Sequence, residues 1–145
     1  MREVSIIGVG MTDFGKFVDT PIEELAKRAL WDALKDAGVK PRQIETAYCG
    51  NMLAGRISGH YSCMAEIMFD QAGIVGIPIV AIENACSSGS TAFREAWIAV
   101  GSGLYDMAIA LGVEKMTGRL AAPLVREKNT MEGVMGFTMP GVWAS

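Results

Sequence analysis

Ala85-Cys86-Ser87-Ser88-Gly89-Ser90 lies between an apolar run, Pro78-Ile79-Val80-Ala81-Ile82, and a helical pattern over residues 91–100. The stretch therefore reads as the turn from a buried strand into a helix, a basic unit of α/β folds. A cysteine in such a turn lies near unpaired backbone N–H groups and the positive end of the helix dipole, both of which favour thiolate over thiol. Free cysteines are also among the residues most often buried as inert hydrophobes. The small neighbours weigh toward chemistry. Ser87, Ser88, Gly89 and Ser90 leave the sulfur uncrowded and let a carbonyl approach the Cys86 N–H, a donor for an oxyanion.

Outward from that turn, strands and helices alternate. Val4-Ser5-Ile6-Ile7-Gly8-Val9-Gly10 is a short β-branched run ended by glycines and predicts a buried strand. Asp13 stands where a phosphate-binding Gly-x-Gly-x-x-Gly needs glycine, so Gly8 and Gly10 read as residues of a sharp turn. Thr20-Pro21-Ile22-Glu23 reads as a capping box with proline at the first helical position. Ile22, Leu25, Ala26, Ala29, Leu30, Ala33, Leu34 and Ala37 then recur at helical spacing up to Gly38, a C-terminal cap. Glu23, Glu24, Lys27, Arg28, Asp32, Lys35 and Asp36 fall on the opposite face, where solvation is their expected role.

Residues 46–51 predict a second strand, 61–71 a second helix, 76–82 a third strand, 87–102 a third helix and 106–112 a fourth strand. This order implies an α/β fold with a mostly parallel sheet, helices on both faces and right-handed crossovers, formed by residues 1–116. Residues 117–145 are rich in Met, Gly and Pro without an amphipathic repeat, and read as the start of an incomplete loop region. Met131, Met135, Phe137, Met139, Val142 and Trp143 there need cover from this chain or another. The last residues, Val142-Trp143-Ala144-Ser145, carry no polar tail, as in an interrupted domain.

At 145 residues, half of them apolar, the chain fits one domain with a real core. Its net charge of −3 and scattered Lys and Arg exclude nucleic acid as the main partner. No apolar stretch reaches the roughly 18 to 20 residues that span a bilayer, and the start lacks a basic segment followed by a long apolar one. A cytoplasmic protein is expected. Cys49, Cys63 and Cys86 show no Cys-x-x-Cys spacing, so they read as free thiols, with neither a disulfide frame nor a metal site.

Asn84-Ala85-Cys86-Ser87-Ser88-Gly89-Ser90, followed after the next strand by Gly112-Val113-Glu114-Lys115-Met116-Thr117, resembles the N-terminal half of thiolases. The likeness is greatest to the archaeal and sterol-carrier-type acetyl-CoA acetyltransferases. The opening from Val4 to Gly15 is similar too, so the resemblance covers nearly the whole chain. It implies a thiolase-like βαβαβ half in which Cys86 is the catalytic nucleophile, taking an acyl group from an acyl-CoA as a thioester. A second acetyl-CoA, deprotonated at its methyl carbon, then attacks that thioester, and thiolysis is the reverse. Coenzyme A thioesters enter as substrates, no further cofactor is implied, and the residues that contact coenzyme A are not assigned. The related ketoacyl synthase III and hydroxymethylglutaryl-CoA synthase share the Asn-Ala-Cys-like turn. The Glu114-Lys115-Met116 segment, expected to be structural, favours thiolase.

Thiolases resemble two copies of one half, and the second supplies activating histidines and an acid–base cysteine. By the same likeness His60, the only histidine here, has no catalytic counterpart; Cys63, a candidate for the missing second cysteine, lies three residues on in the amphipathic stretch 61–71, a placement that favours packing. His60 is expected as a surface or cap residue, and Cys63 and Cys49 as packing residues. A chain with the nucleophile alone is expected to be a weak or inactive thiolase, since general acid–base groups contribute roughly 10² to 10⁴-fold. Two function classes follow: the N-terminal part of an acyl-CoA acyltransferase of lipid metabolism, with a fragment of one of the related condensing enzymes as its variant, or a non-catalytic thiolase-like subunit or remnant that binds a partner. Both predict a homo-oligomer or a complementary C-terminal thiolase chain.

Overall fold

The computed structural model describes residues 1–60 and 62–116. Helix α1 (Ile22–Ala37) buries Ile22, Leu25, Ala26, Leu30 and Leu34, the stripe that its apolar spacing predicts. It ends at Gly38, with φ of 66°, where the Gly38 N–H donates to the Lys35 carbonyl and the Val39 N–H to that of Leu34. These two bonds close the helix as a Schellman motif, a left-handed turn for which glycine carries no Cβ penalty.

The start of α1 differs from the expected capping box. Pro21 is the N-cap, and no side chain caps the helix. The Thr20 carbonyl accepts a hydrogen bond from Lys115 Nζ at 2.6 Å, and the Glu23 carboxylate pairs with His60 Nε2 at 2.5 Å. With the helix starting at Ile22, Pro21 brings neither a capping side chain nor an N–H to the N-cap, and the Glu23 carboxylate is taken by His60. Glu24 and Arg28 form an exposed i,i+4 pair at 3.0 Å, in line with a solvated face.

Strands β1 (Thr46–Gly50), β2 (Ile79–Ile82) and β3 (Ala108–Gly112) form a three-stranded sheet of order β2-β1-β3 in which both pairings are parallel. Successive side chains of a strand point to opposite faces. Ala47 and Cys49, both fully buried, join a core with Leu30 and Leu34 of α1 and with Met68 and Phe69 of α3 (Met64–Asp70). The other face of β1 receives α4 (Ser88–Gly101), so helices cover both sides. Helix α3 is shorter than predicted, and Tyr61 of the expected span lies outside the described residues. A one-turn helix, α2 (Ala54–Ser58), precedes it; no apolar period of useful length announces so short an element.

The run Val4–Gly10 is not a strand, contrary to its composition. Ile6, Ile7 and Val9 are 68%, 55% and 68% exposed. A strand needs a neighbouring ladder, and this segment instead lies along α1, which offers side chains only: the Val9 N–H donates to Asp36 at 2.9 Å. A Cβ on Gly10 would stand 2.2 Å from the Ala29 carbonyl oxygen, and one on Gly8 2.5 Å from that of Ala33. Neither glycine has a positive φ, so they serve close approach to the helix and not a sharp turn. Arg2 anchors the segment through its N–H to Gly101 at 2.8 Å, and its guanidinium to the Val100 and Tyr105 carbonyls and to Asp106. No helix among the described residues is long and apolar enough to cross a membrane. The region 117–145, with its expected need for cover at Met131, Met135, Phe137, Met139, Val142 and Trp143, lies outside the described residues.

Candidate active site

Strand β2 delivers the chain to Glu83 and Asn84 at the carboxyl ends of the parallel strands. Ala85 follows at φ 46°, a left-handed conformation that costs a non-glycine residue about 1 kcal/mol or more. Cys86 comes next with an exposed, free thiol, and α4 begins two residues later. The turn closes through the Ser87 N–H on the Asn84 carbonyl at 2.9 Å and the Ser88 N–H on that of Ala85 at 3.2 Å.

The first turn of α4 sits directly on β1 and β3. A Cβ on Gly50 would stand 2.4 Å from the Ser88 backbone, and one on Gly112 3.3 Å from the Gly89 Cα. Gly89, which follows Cys86-Ser87-Ser88, is therefore used against the sheet, and its absence of a side chain does more than clear space around the sulfur. Strand ends and helix start thus hold the Cys86 turn from below.

Just past β3, Glu114 turns back toward the end of β1. Its carboxylate accepts the Met52 N–H at 2.8 Å, the Leu53 N–H at 3.3 Å and Asn51 Nδ2 at 3.2 Å. Asn51 also donates to the Val113 carbonyl at 2.6 Å and accepts the Ala54 N–H at 2.7 Å, tying the start of α2 to the same network. Lys115 Nζ donates to the Val18 and Thr20 carbonyls. This geometry agrees with a structural role for Glu114 and Lys115. Long-range bonds of this kind leave no periodic trace, and the sequence offered only the adjacency of the two charges.

The remaining predicted residues separate clearly. Cys49 is fully buried, as expected, with its sulfur 3.9 Å from Met64 Sδ. Burial, and then the nearby carboxylates of Glu114 and Glu66, push its thiol up to about 12. Cys63, expected to pack, is exposed, because its own φ of 53° at the N-cap of α3 turns it out of the helix face. His60, expected at the surface or in a cap, is only partly exposed and is held by Glu23. No hydrogen bond among the described residues joins His60 to the Cys86 turn, and no three His, Cys, Asp or Glu side chains there gather as a metal site.

Residues 4–137 match the family model described as thiolase, N-terminal domain. The chain belongs to the thiolase family. It is 36% identical to an acetyl-CoA acetyltransferase of Methanothermobacter thermautotrophicus, over 99% of this chain and 38% of that protein. An acetyl-CoA acetyltransferase of Methanocaldococcus jannaschii is also 36% identical, over 99% of this chain and 37% of that one. Sterol carrier protein 2 of Gallus gallus is 36% identical over 90% of this chain and 24% of its own length. This thiolase chain thus spans less than two-fifths of the length of these relatives. Among solved structures, an acetyl-CoA acetyltransferase from Syntrophomonas wolfei superposes with a TM-score of 0.61 at 21% identity, covering 72% of this chain and 27% of that one. The 3-oxoacyl-[acyl-carrier-protein] synthase III from Aquifex aeolicus VF5 gives the same TM-score at 20% identity, over 74% and 34%. These two likenesses show a shared thiolase-like α/β fold.

Proposed function

We propose that this thiolase domain carries the nucleophile of an enzyme that transfers acyl groups between acyl-CoA thioesters, and that Cys86 is that nucleophile. The observation that carries the reading is the exposed Cys86 thiol in a strained turn ahead of α4, at the carboxyl ends of parallel strands where α/β sheets bind their ligands. In the reaction, the Cys86 thiolate attacks the thioester carbonyl, a tetrahedral oxyanion forms, and coenzyme A leaves as its thiolate, giving acyl-Cys86. The carbanion of a second acetyl-CoA then attacks that carbonyl, forming the carbon–carbon bond and returning the Cys86 thiolate. The names of the archaeal relatives support acetyl-CoA acetyltransferase as the activity.

The chain's one histidine is engaged by Glu23, so a histidine acting on Cys86 comes from outside these 145 residues. A complementary C-terminal thiolase half supplies it, whether or not the chains also form a homo-oligomer, and three free cysteines fit work in the cytoplasm. Intact mass after incubation with acetyl-CoA tests the assignment. One acetyl group per chain, absent from Cys86→Ala, is expected. A folded chain that takes no acetyl group and alkylates slowly at Cys86 would place the activation of Cys86 wholly in the second thiolase half, or leave the non-catalytic, partner-binding role.

A further inference from the structure

We infer that Ser88 is a positioning residue: its buried hydroxyl clamps Ala85 in the left-handed conformation that presents Cys86, an inference that rests on Cys86 being the nucleophile. Ser88 Oγ accepts the Asn84 N–H at 2.8 Å and donates to the Ala85 carbonyl at 2.8 Å, bridging the two residues before the cysteine. The bond directions are informative. A serine at a helix start ordinarily reaches forward to cap an N–H of the first turn. Ser88, the first residue of α4, reaches backward into the turn, while Ser87 at the N-cap makes no side-chain capping bond.

The clamp has something to hold. Ala85 at φ 46° is strained, and such a conformation persists only where its surroundings over-determine it. Three contacts do so here: the Ser88 bridge, the Glu83 carboxylate accepting the Ala85 N–H at 2.9 Å, and Asn84 Nδ2 donating to Thr91 Oγ1 at 3.0 Å. Ser88 is the buried member of this set, 5% exposed, and its backbone is pinned against Gly50. The hydroxyl thereby transmits the fixed position of β1 to the residue that aims Cys86. Glu83 is exposed, so water competes for its bond.

The test uses the full chain and its three cysteines as reporters: Cys86 for the turn, exposed Cys63 as a reactivity control and buried Cys49 as a sign of an intact core. Acetylation of Cys86 by acetyl-CoA and alkylation of each cysteine by iodoacetamide are followed by peptide mass spectrometry in wild type, Ser88→Ala, Ala85→Gly and the double variant. Ser88→Ala is expected to slow acetylation at Cys86 roughly tenfold or more, as small misplacements of a reacting group do, with Cys63 unchanged and Cys49 protected. Glycine at 85 adopts a positive φ without the penalty, so the double variant is expected to recover to within about threefold of wild type. An unchanged Ser88→Ala rate, a loss that Ala85→Gly does not restore, or exposure of Cys49 in Ser88→Ala would each overturn the inference. Absence of acetylation in wild type would instead place the activation of Cys86 outside this chain, and the effect of Ser88 on the turn is then read from the Cys86 alkylation rates.

Discussion

Val4–Gly10 and Ala108–Gly112 are alike on paper: short, apolar, β-branched in part and closed by glycine. One becomes β3, hydrogen-bonded along its length to β1, and the other lies on α1 with Ile6, Ile7 and Val9 largely exposed. The difference teaches that a strand is a pairing and not a property of its residues. β3 follows α4, which packs on the sheet and returns the chain beside β1. The opening segment has no such return and settles where two glycines let its backbone approach a helix.

The largest effect expected from this contrast is at Gly50. Its Cβ would meet the Ser88 backbone, and neither side can yield, because β1 is paired on both edges and α4 is packed across it. Gly50→Ala is expected to lower unfolding free energy by roughly 3 kcal/mol in urea titration and to slow the reaction of Cys86. Loss below about 1 kcal/mol would mean that the seam between helix and sheet gives easily.

Gly10→Ala creates an equally short contact with the Ala29 carbonyl, but the opening segment can lift away, so about 1 kcal/mol is expected. A loss as large as that at Gly50 would show the segment to be as firmly built in as the sheet.

The mildest effect at neutral pH concerns Cys49, which reports on the paired region from within. Its folded thiol is raised from 9.0 to about 12, so the thiol stays neutral in the fold while the unfolded chain ionises above about 9. The stabilisation is therefore complete below that value and is lost as pH rises from there toward 12. Urea midpoints of wild type are expected to fall faster than those of Cys49→Ala above about pH 9, and to run parallel to them below it. Parallel curves throughout would mean that the β1 core admits water.

Much of the site was legible in the sequence because its signals are local. The apolar run of β2, the small residues after Cys86 and the helical period of α4 lie within about two dozen residues, and together they place a thiol in a strand-to-helix turn. The brace beneath that turn was not legible. Gly50 and Gly112, from two other strands, meet Ser88 and Gly89, and Glu114 closes on Asn51 and Met52 more than sixty residues away. The same long reach pairs Glu23, expected in a capping box, with His60.

By itself the sequence determined α1 with its glycine stop, the extended segments that became β1, β2 and β3, the α/β order and the cysteine in its turn, because each rests on periodicity or backbone preference within one segment. Only the tertiary structure decided that Val4–Gly10 stays outside the sheet, that Cys63 faces out while Cys49 is sealed in, and that Ser88 reaches back to Ala85. Those outcomes depend on which backbone groups find partners across the fold, and hydrogen-bond partners and close contacts are set by the packing of distant segments.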